Sequence, residues 1–348
     1  MNYIDILSGR DKSMLANILR CTLILPSVIY SMVTMLRNLL YDLHILPGYK
    51  VDIPVICIGN ITAGGTGKTP MVVWLCRYLY GKGARVAILS RGYKSSDSSG
   101  INDEIKLLQG ALPEVAFYIG SNRVESARAA QTDGATVIVM DDGYQHRRLR
   151  RDIDILMVDA LCPFGFGRVL PAGLLREPLS QIGRASIAVI SRSDIAGDET
   201  TSKIKHKLLS YKQMPIVLSS HRPSGLFNCD GVKVDLSQLA GQKVTAFCSI
   251  GNPGGFIATL ESLGAVVRGK YFFDDHSEYD SERVGIIRQL MEDAPDQWLI
   301  TTEKDWVKLR ELPDIIGLDR LFWLAIEMDF AAGEGELKKL VDNITNLN

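Results

Sequence analysis

The residues with the strongest claim to chemistry lie between Gly59 and Thr69, in the run Gly-Asn-Ile-Thr-Ala-Gly-Gly-Thr-Gly-Lys-Thr. Glycines let a loop turn its backbone N–H groups inward onto an anion, which also meets the positive end of a following helix. Thr62, Ala63, Gly64, Gly65, Thr66 and Gly67 would wrap the phosphates of a nucleoside triphosphate. Lys68 would reach the β- and γ-phosphates, and the Thr69 hydroxyl would contact Mg²⁺. One position departs from the usual spacing: Thr62 stands where the first glycine is normally found.

Other residues fit the same chemistry. Asp141 and Asp142 end an apolar run, and an aspartate placed so, downstream of a phosphate loop, usually supplies the second contact to magnesium. Two adjacent carboxylates repel unless a cation or solvent separates them. Arg176 lies in a segment punctuated by glycine and proline, Phe164 to Pro178, and its guanidinium would fork onto phosphate oxygens. Asp103 and Glu104 open a short helical pattern, where paired acids ordinarily serve as cap and dipole partners. His146 taken alone reads as a hydrogen-bonded structural histidine. Arg147, Arg148, Arg150 and Arg151 form a basic cluster suited to an anionic substrate or lipid, and equally to a solvated face.

These groups need a scaffold. Val55 to Ile58 reads as a buried strand before the loop, and Pro70 opens a helix that runs through Tyr80. Further strands at Arg85 to Leu89, Ala135 to Met140, Ile153 to Val158, Ala185 to Ile190 and Pro215 to Ser219 alternate with helical stretches. That order predicts an α/β fold with a doubly wound, mostly parallel sheet. Ser220 to Asp235 reads as a hinge to a second α/β unit, with strands at Lys243 to Ser249, Val266 to Phe272 and Trp298 to Thr301. The expected division is residues 1–50 as a membrane-associating segment, 51–222 as the nucleotide-binding domain, and 223–348 as a smaller domain closing over the active site.

The N-terminal segment is set apart by its lack of charge. Between Arg20 and Arg37 lie sixteen uncharged residues, which as a helix reach about 24 Å, short of the roughly 30 Å hydrocarbon core. Leu25, Val28, Ile29, Met32, Val33, Leu36, Leu39 and Leu40 share one face, and Ser27, Ser31, Thr34 and Asn38 gather on another. This predicts an amphipathic helix lying in a membrane interface, with packing against the protein's own core as the competing expectation. A cleaved signal peptide is disfavoured by the late start, by Pro26 and by direct continuation into the domain. The chain has 348 residues and a net charge of −1, which suggests no nucleic-acid partner. Its six cysteines are scattered without a Cys-x-x-Cys pair, as in a reduced cytosolic protein.

In this order the motifs closely resemble those of the tetraacyldisaccharide 4′-kinases, the lipid A 4′-kinase family of Gram-negative bacteria. The likeness covers most of the chain: the N-terminal apolar segment, Gly59 through Pro70, Ser90-Arg91-Gly92-Tyr93, Asp103-Glu104, Asp141 through His146, Leu170-Pro171-Ala172-Gly173, Leu175-Arg176-Glu177-Pro178, Asp275-His276 and Thr302-Glu303-Lys304-Asp305. It implies phosphorylation, by ATP with Mg²⁺, of the 4′-hydroxyl of a tetraacylated glucosamine disaccharide 1-phosphate at the cytoplasmic face of the inner membrane. It implies no obligate protein partner. Asp103 would then be the base on the sugar hydroxyl, paired with His276, and Lys68 and Arg176 would carry charge stabilisation. Ser90, Arg91, Tyr93, Gln145, His146, Arg176 and Glu177 would face the substrate. Ser277 replaces the second histidine usual in the family, and Leu174 replaces a common proline.

Two rivals share the loop. A GTPase or metallochaperone-type switch should carry an Asn/Thr-Lys-x-Asp motif, and the nearest run, Ser191-Arg192-Ser193-Asp194, is wrong at both leading positions. A dimerising partition-type ATPase should have lysine where Ala63 stands.

Overall fold

The computed structural model describes residues 3–92, 103–274, 277–315 and 318–345. Two helices, α1 (Tyr3–Ser8) and α2 (Met14–Asp42), come first. Then follow β1 (Val55–Gly59), α3 (Lys68–Gly81), β2 (Val86–Ser90), α4 (Asp103–Ala111), β3 (Ala116–Ile119), α5 (Arg123–Thr132), β4 (Val137–Asp141), β5 (Ile153–Asp159), β6 (Ile187–Ser191) and α6 (Ser193–Leu209). The chain continues with β7 (Ile216–Asn228), β8 (Lys233–Val234), β9 (Lys243–Cys248), α7 (Pro253–Ser262), β10 (Val266–Phe272) and α8 (Ser281–Asp293). It ends with β11 (Trp298–Thr302), α9 (Glu303–Leu309), β12 (Leu321–Ala332) and α10 (Glu334–Thr345).

Two compact units result. The first takes in the described parts of residues 1–100, 112–220 and 328–348, the second those of 101–111 and 221–327. Two stretches group across the division expected from the sequence: α4 goes with the second unit, and the C-terminal segment returns to the first. The expected hinge is also strand, because β7 runs on to Asn228.

In the first unit the strand order is β7-β6-β5-β1-β4-β2-β3. β1 is central and pairs in parallel with β4 and β5. β1, β2, β4 and β6 are buried at every position, so each reads as an unbroken apolar run rather than an alternating one. β3 gave no such signal because it is a four-residue edge strand, only partly buried. The core lies in two layers, one with Ile61, Tyr144, Leu156 and Ile190, the other with Val55, Cys57, Leu89 and Met140. In the second unit β9 lies between β10 and β11, and β12 extends the sheet beyond β11, all in parallel. β8 adds one short antiparallel pairing on the far part of β7.

Helix α2 reverses the usual arrangement of a surface helix. Its buried residues are Ala16, Ser27, Thr34 and Asn38, and its apolar stripe faces outward, with Leu25 68% and Met32 65% exposed. The helix is therefore not packed by its apolar face on the protein core. At 29 residues, with an 18-residue stretch of mean hydropathy 1.6, and about 43 Å long, it has the length to cross a bilayer. Its polar face, however, is bonded to the protein. The Ser27 hydroxyl donates to the Val169 carbonyl at 2.6 Å. The Asn38 amide and the Arg37 guanidinium donate to Glu177 at 3.0 and 2.7 Å, and Arg147 donates to the Asn38 carbonyl at 2.8 Å. A helix so tied has one face for protein and one for something apolar.

Glu177 is completely buried, and its second oxygen accepts from Arg184 at 2.5 Å. It was expected to face the substrate. Instead both oxygens are committed inside the protein, where the carboxylate anchors α2. Removing one partner of such a buried cluster leaves uncompensated charge, so Glu177→Ala should lower unfolding stability by about 3 kcal/mol. Removing the exposed Lys203–Glu199 pair should change it by less than about 1 kcal/mol; urea denaturation of both variants measures the contrast.

Candidate active site

The glycine-rich loop leaves the end of β1 and enters α3 through Gly67, which caps the helix in the left-handed region at φ 82°. That conformation is inexpensive only for glycine. It turns the first-turn N–H groups of α3, which have no partner within the helix, toward the loop. A Cβ on Gly64 or Gly65 would meet nothing within 4 Å, and the Thr66 hydroxyl is buried without a hydrogen-bond partner. Open glycines, free helix N–H groups, an orphaned hydroxyl and Lys68 together fit a polyphosphate.

Lys68 is positioned by two neighbours. Its ammonium donates to the Asn60 side-chain oxygen at 3.2 Å and lies 3.5 Å from Asp142. Asp142 in turn receives a forked bond from Arg176, at 3.0 and 2.9 Å. The register Ile58↔Asp141 places the aspartate pair level with the end of β1, beside the loop. Burial tends to raise the Asp142 carboxyl, but Lys68 and Arg176 outweigh it and hold it below the usual carboxylate range. Gly143 follows because a side chain there would overlap Met140 and Cys57. Asp142, Lys68 and Arg176 are thus brought together, with Asp141 beside them at the end of β4.

Arg176 owes its place to main-chain pairing. The Ala63 N–H donates to the Leu174 carbonyl at 2.6 Å, and the Arg176 N–H donates to the Ile61 carbonyl at 2.7 Å. The segment 164–178 is thereby stitched onto the phosphate loop. From the other side the Ser191 hydroxyl donates to the Thr66 carbonyl at 3.0 Å, and Arg192 donates to the Gly65 carbonyl at 2.7 Å while paired with Asp159. Ser191 and Arg192 therefore brace the phosphate loop.

Several expected substrate residues sit one layer back. The Gln145 amide donates to the Asn60 carbonyl at 2.8 Å, which supports the residue that orients Lys68. His146 is partly buried; desolvation, then the nearby Arg123 and Arg151, push its imidazole down to about 4, so it is neutral at physiological pH. Ser90 is buried at the end of β2, and Arg91 is exposed just after it. Tyr93 lies outside the described residues, as does His276.

Asp103 belongs to the second unit. It opens α4, and its Oδ2 lies 3.1 Å from the ammonium of Lys308 on α9. Asn60, Arg192, Asp159 and Lys308 were not singled out from the sequence. Asn60 lies within a quoted motif and Lys308 three residues beyond Asp305, but the partner of each is distant in the chain. Among the described residues no cluster of three or more His, Cys, Asp or Glu side chains could hold a metal alone. A magnesium bound chiefly by nucleotide phosphates needs only one or two protein oxygens, and Thr69 with the Asp141–Asp142 pair fits that donor set.

Comparison with known proteins agrees with this geometry. The family model for tetraacyldisaccharide-1-P 4′-kinase matches residues 19–346. A tetraacyldisaccharide 4′-kinase of Halothermothrix orenii is 37% identical, over 88% of this chain and 87% of its own length. One from Chlorobaculum tepidum is 34% identical, over 90% and 94%. The crystal structure of LpxK from Aquifex aeolicus in complex with ATP superposes with a TM-score of 0.75 at 30% identity, covering 94% of this chain and 99% of that one. With the phosphate loop, the aspartate pair and Arg176 assembled on the same mostly parallel α/β scaffold, this chain belongs to the tetraacyldisaccharide-1-P 4′-kinase family.

Proposed function

We propose that this chain transfers the γ-phosphoryl group of ATP to the 4′-hydroxyl of a tetraacylated glucosamine disaccharide 1-phosphate, at the cytoplasmic face of the inner membrane, as a step in lipid A biosynthesis. The observation that carries this reading is the convergence of Lys68 and Arg176 on Asp142 beside the glycine loop. Two cations held by one carboxylate are preorganised for the charge that builds on the transferring group.

In the reaction the hydroxyl oxygen bonds to the γ-phosphorus as the bond to the bridging oxygen of ADP breaks. Asp103 takes the hydroxyl proton. Lys68 and the loop N–H groups hold the β- and γ-phosphates, and Arg176 lies against the transferring oxygens. Magnesium, when bound, would neutralise phosphate charge, held by Thr69 and by Asp141 or Asp142. Asn60 keeps Lys68 in place, and Gln145 keeps Asn60 in place.

The outward apolar face of α2 supports the membrane location. An acylated disaccharide leaves a bilayer only at high cost, so the enzyme goes to the lipid, with α2 lying in the interface. Bonding of its polar face to Val169 and Glu177 favours a peripheral or monotopic attachment over a span.

Labelled ATP, the acylated disaccharide and a determination of where the label lands test the reaction. Lys68→Ala should cost about 10²-fold or more in turnover. Asp103→Asn should cost about 10²- to 10⁴-fold with ATP affinity kept; near-normal turnover would place the base elsewhere. For the membrane face, Leu25→Ser, Met32→Ser and Leu36→Ser together should weaken liposome partition by more than about 100-fold, at about 1–2 kcal/mol lost per side chain. Unchanged co-flotation would assign that face to another partner.

A further inference from the structure

The buried ammonium of Lys308 has three protons and three acceptors. It lies 3.1 Å from Asp103 Oδ2, 3.2 Å from the Ser249 hydroxyl and 2.9 Å from the Ser277 carbonyl. Its side chain is 6% exposed, while that of Asp103 is 30% exposed. A lysine at the surface would keep its rotamer freedom; this one has given it up. All four residues belong to the second unit.

The anchor continues inward. The Ser249 hydroxyl donates to Asp305, a fully buried carboxylate that also accepts from the Ser249 N–H and, at 2.7 Å, from the Thr302 hydroxyl. Thr302 caps α9 by accepting from the Asp305 N–H. The Thr302-Glu303-Lys304-Asp305 motif, to which the reaction assigned nothing, thus fixes the start of the helix that presents Lys308 one turn later. The same ammonium holds Asp103 at the start of α4 and the carbonyl of Ser277, the residue after His276.

We propose that Lys308 is a positioning residue for the acceptor-activating carboxylate. It holds Oδ2 of Asp103 so that Oδ1 is the oxygen presented to the sugar hydroxyl, with Asp305, Ser249 and Thr302 as its footing. This rests on the reading of Asp103 as the base. A base displaced by about 1 Å loses on the order of 10²-fold in rate without loss of substrate affinity, so the effect falls on kcat.

The test uses the full-length protein with ATP and tetraacyldisaccharide 1-phosphate, comparing Lys308→Met and Lys308→Gln in the wild-type and Asp103→Asn backgrounds. Each single variant should lose about 10²-fold in kcat, with KM for both substrates within about twofold. Lys308→Arg, which keeps the charge, should recover part of the loss. In the Asp103→Asn background neither substitution should lower turnover further, because a residue that acts through Asp103 has nothing left to act on. Multiplied losses there, a rise in KM for ATP in place of the fall in kcat, or wild-type turnover would overturn the proposal. Should Lys308→Met fail to fold, as judged by thermal melting and ATP binding, the polar Lys308→Gln carries the comparison. Collapse of both would make Lys308 a scaffold residue and also overturn it. Normal turnover in Asp103→Asn alone would instead remove the base assignment, a separate result.

Discussion

Two main-chain hydrogen bonds, Ala63 N–H to Leu174 and Arg176 N–H to Ile61, hold the first unit's chemistry in one place. They fasten a segment with little regular structure to the loop that receives phosphate, and so fix the direction of three consecutive residues. Leu175 turns into the core, Arg176 reaches Asp142, and Glu177 descends to meet α2. A phosphate clamp on a free loop would have to be ordered at each encounter, at the cost of backbone entropy for every residue involved. Here the segment is already ordered by its pairing with the loop, the preorganisation that the proposed electrostatic role of Arg176 would require.

The buried carboxylates show how desolvated charge is tolerated. Glu177 lies among Arg37, Asn38 and Arg184, and Asp305 among two hydroxyls and a backbone N–H. An isolated buried carboxylate would be several kcal/mol unfavourable, and only several short donors offset that. Each network joins distant segments: Glu177 links α2 to Arg184 and to the segment that bears Arg176, and Asp305 links the end of β9 to α9. Specific geometry, more than net stability, is what such networks supply.

Much of this was legible in the sequence. Strands β1, β2, β4 and β6 announced themselves because full burial leaves continuous apolar runs, and Lys68, Asp141, Asp142 and Arg176 did so because phosphate chemistry calls for those residue types after a glycine loop, a strand end and a glycine- and proline-rich segment. Edge strand β3 was silent for the opposite reason, being short and half-exposed. Glu177 was misread because a motif shows that a residue matters without showing which way it points. Lys308 and Arg192 were missed because their partners lie 205 and 33 positions away, as Asp103 and Asp159, and one sequence carries no record of such pairings.

Helix α2 shows why amphipathicity alone does not assign a helix to core or membrane. The periodicity is the same in either case; which face is bonded decides. With Ser27, Thr34 and Asn38 inward, the helix gains little from the hydrophobic effect on docking and is held by hydrogen bonds and the Glu177 cluster. Its apolar face is left for an environment that water cannot supply. Lipid around the whole helix would require giving up the bonds to Val169 and Glu177, each worth more in hydrocarbon than in water because nothing there replaces it. Immersion of one face demands no such exchange. In the proposed one-faced attachment, the residues that hold α2 to the protein would also orient the first unit at a bilayer surface, with Arg37 and Glu177 joining α2 to the segment that bears Arg176.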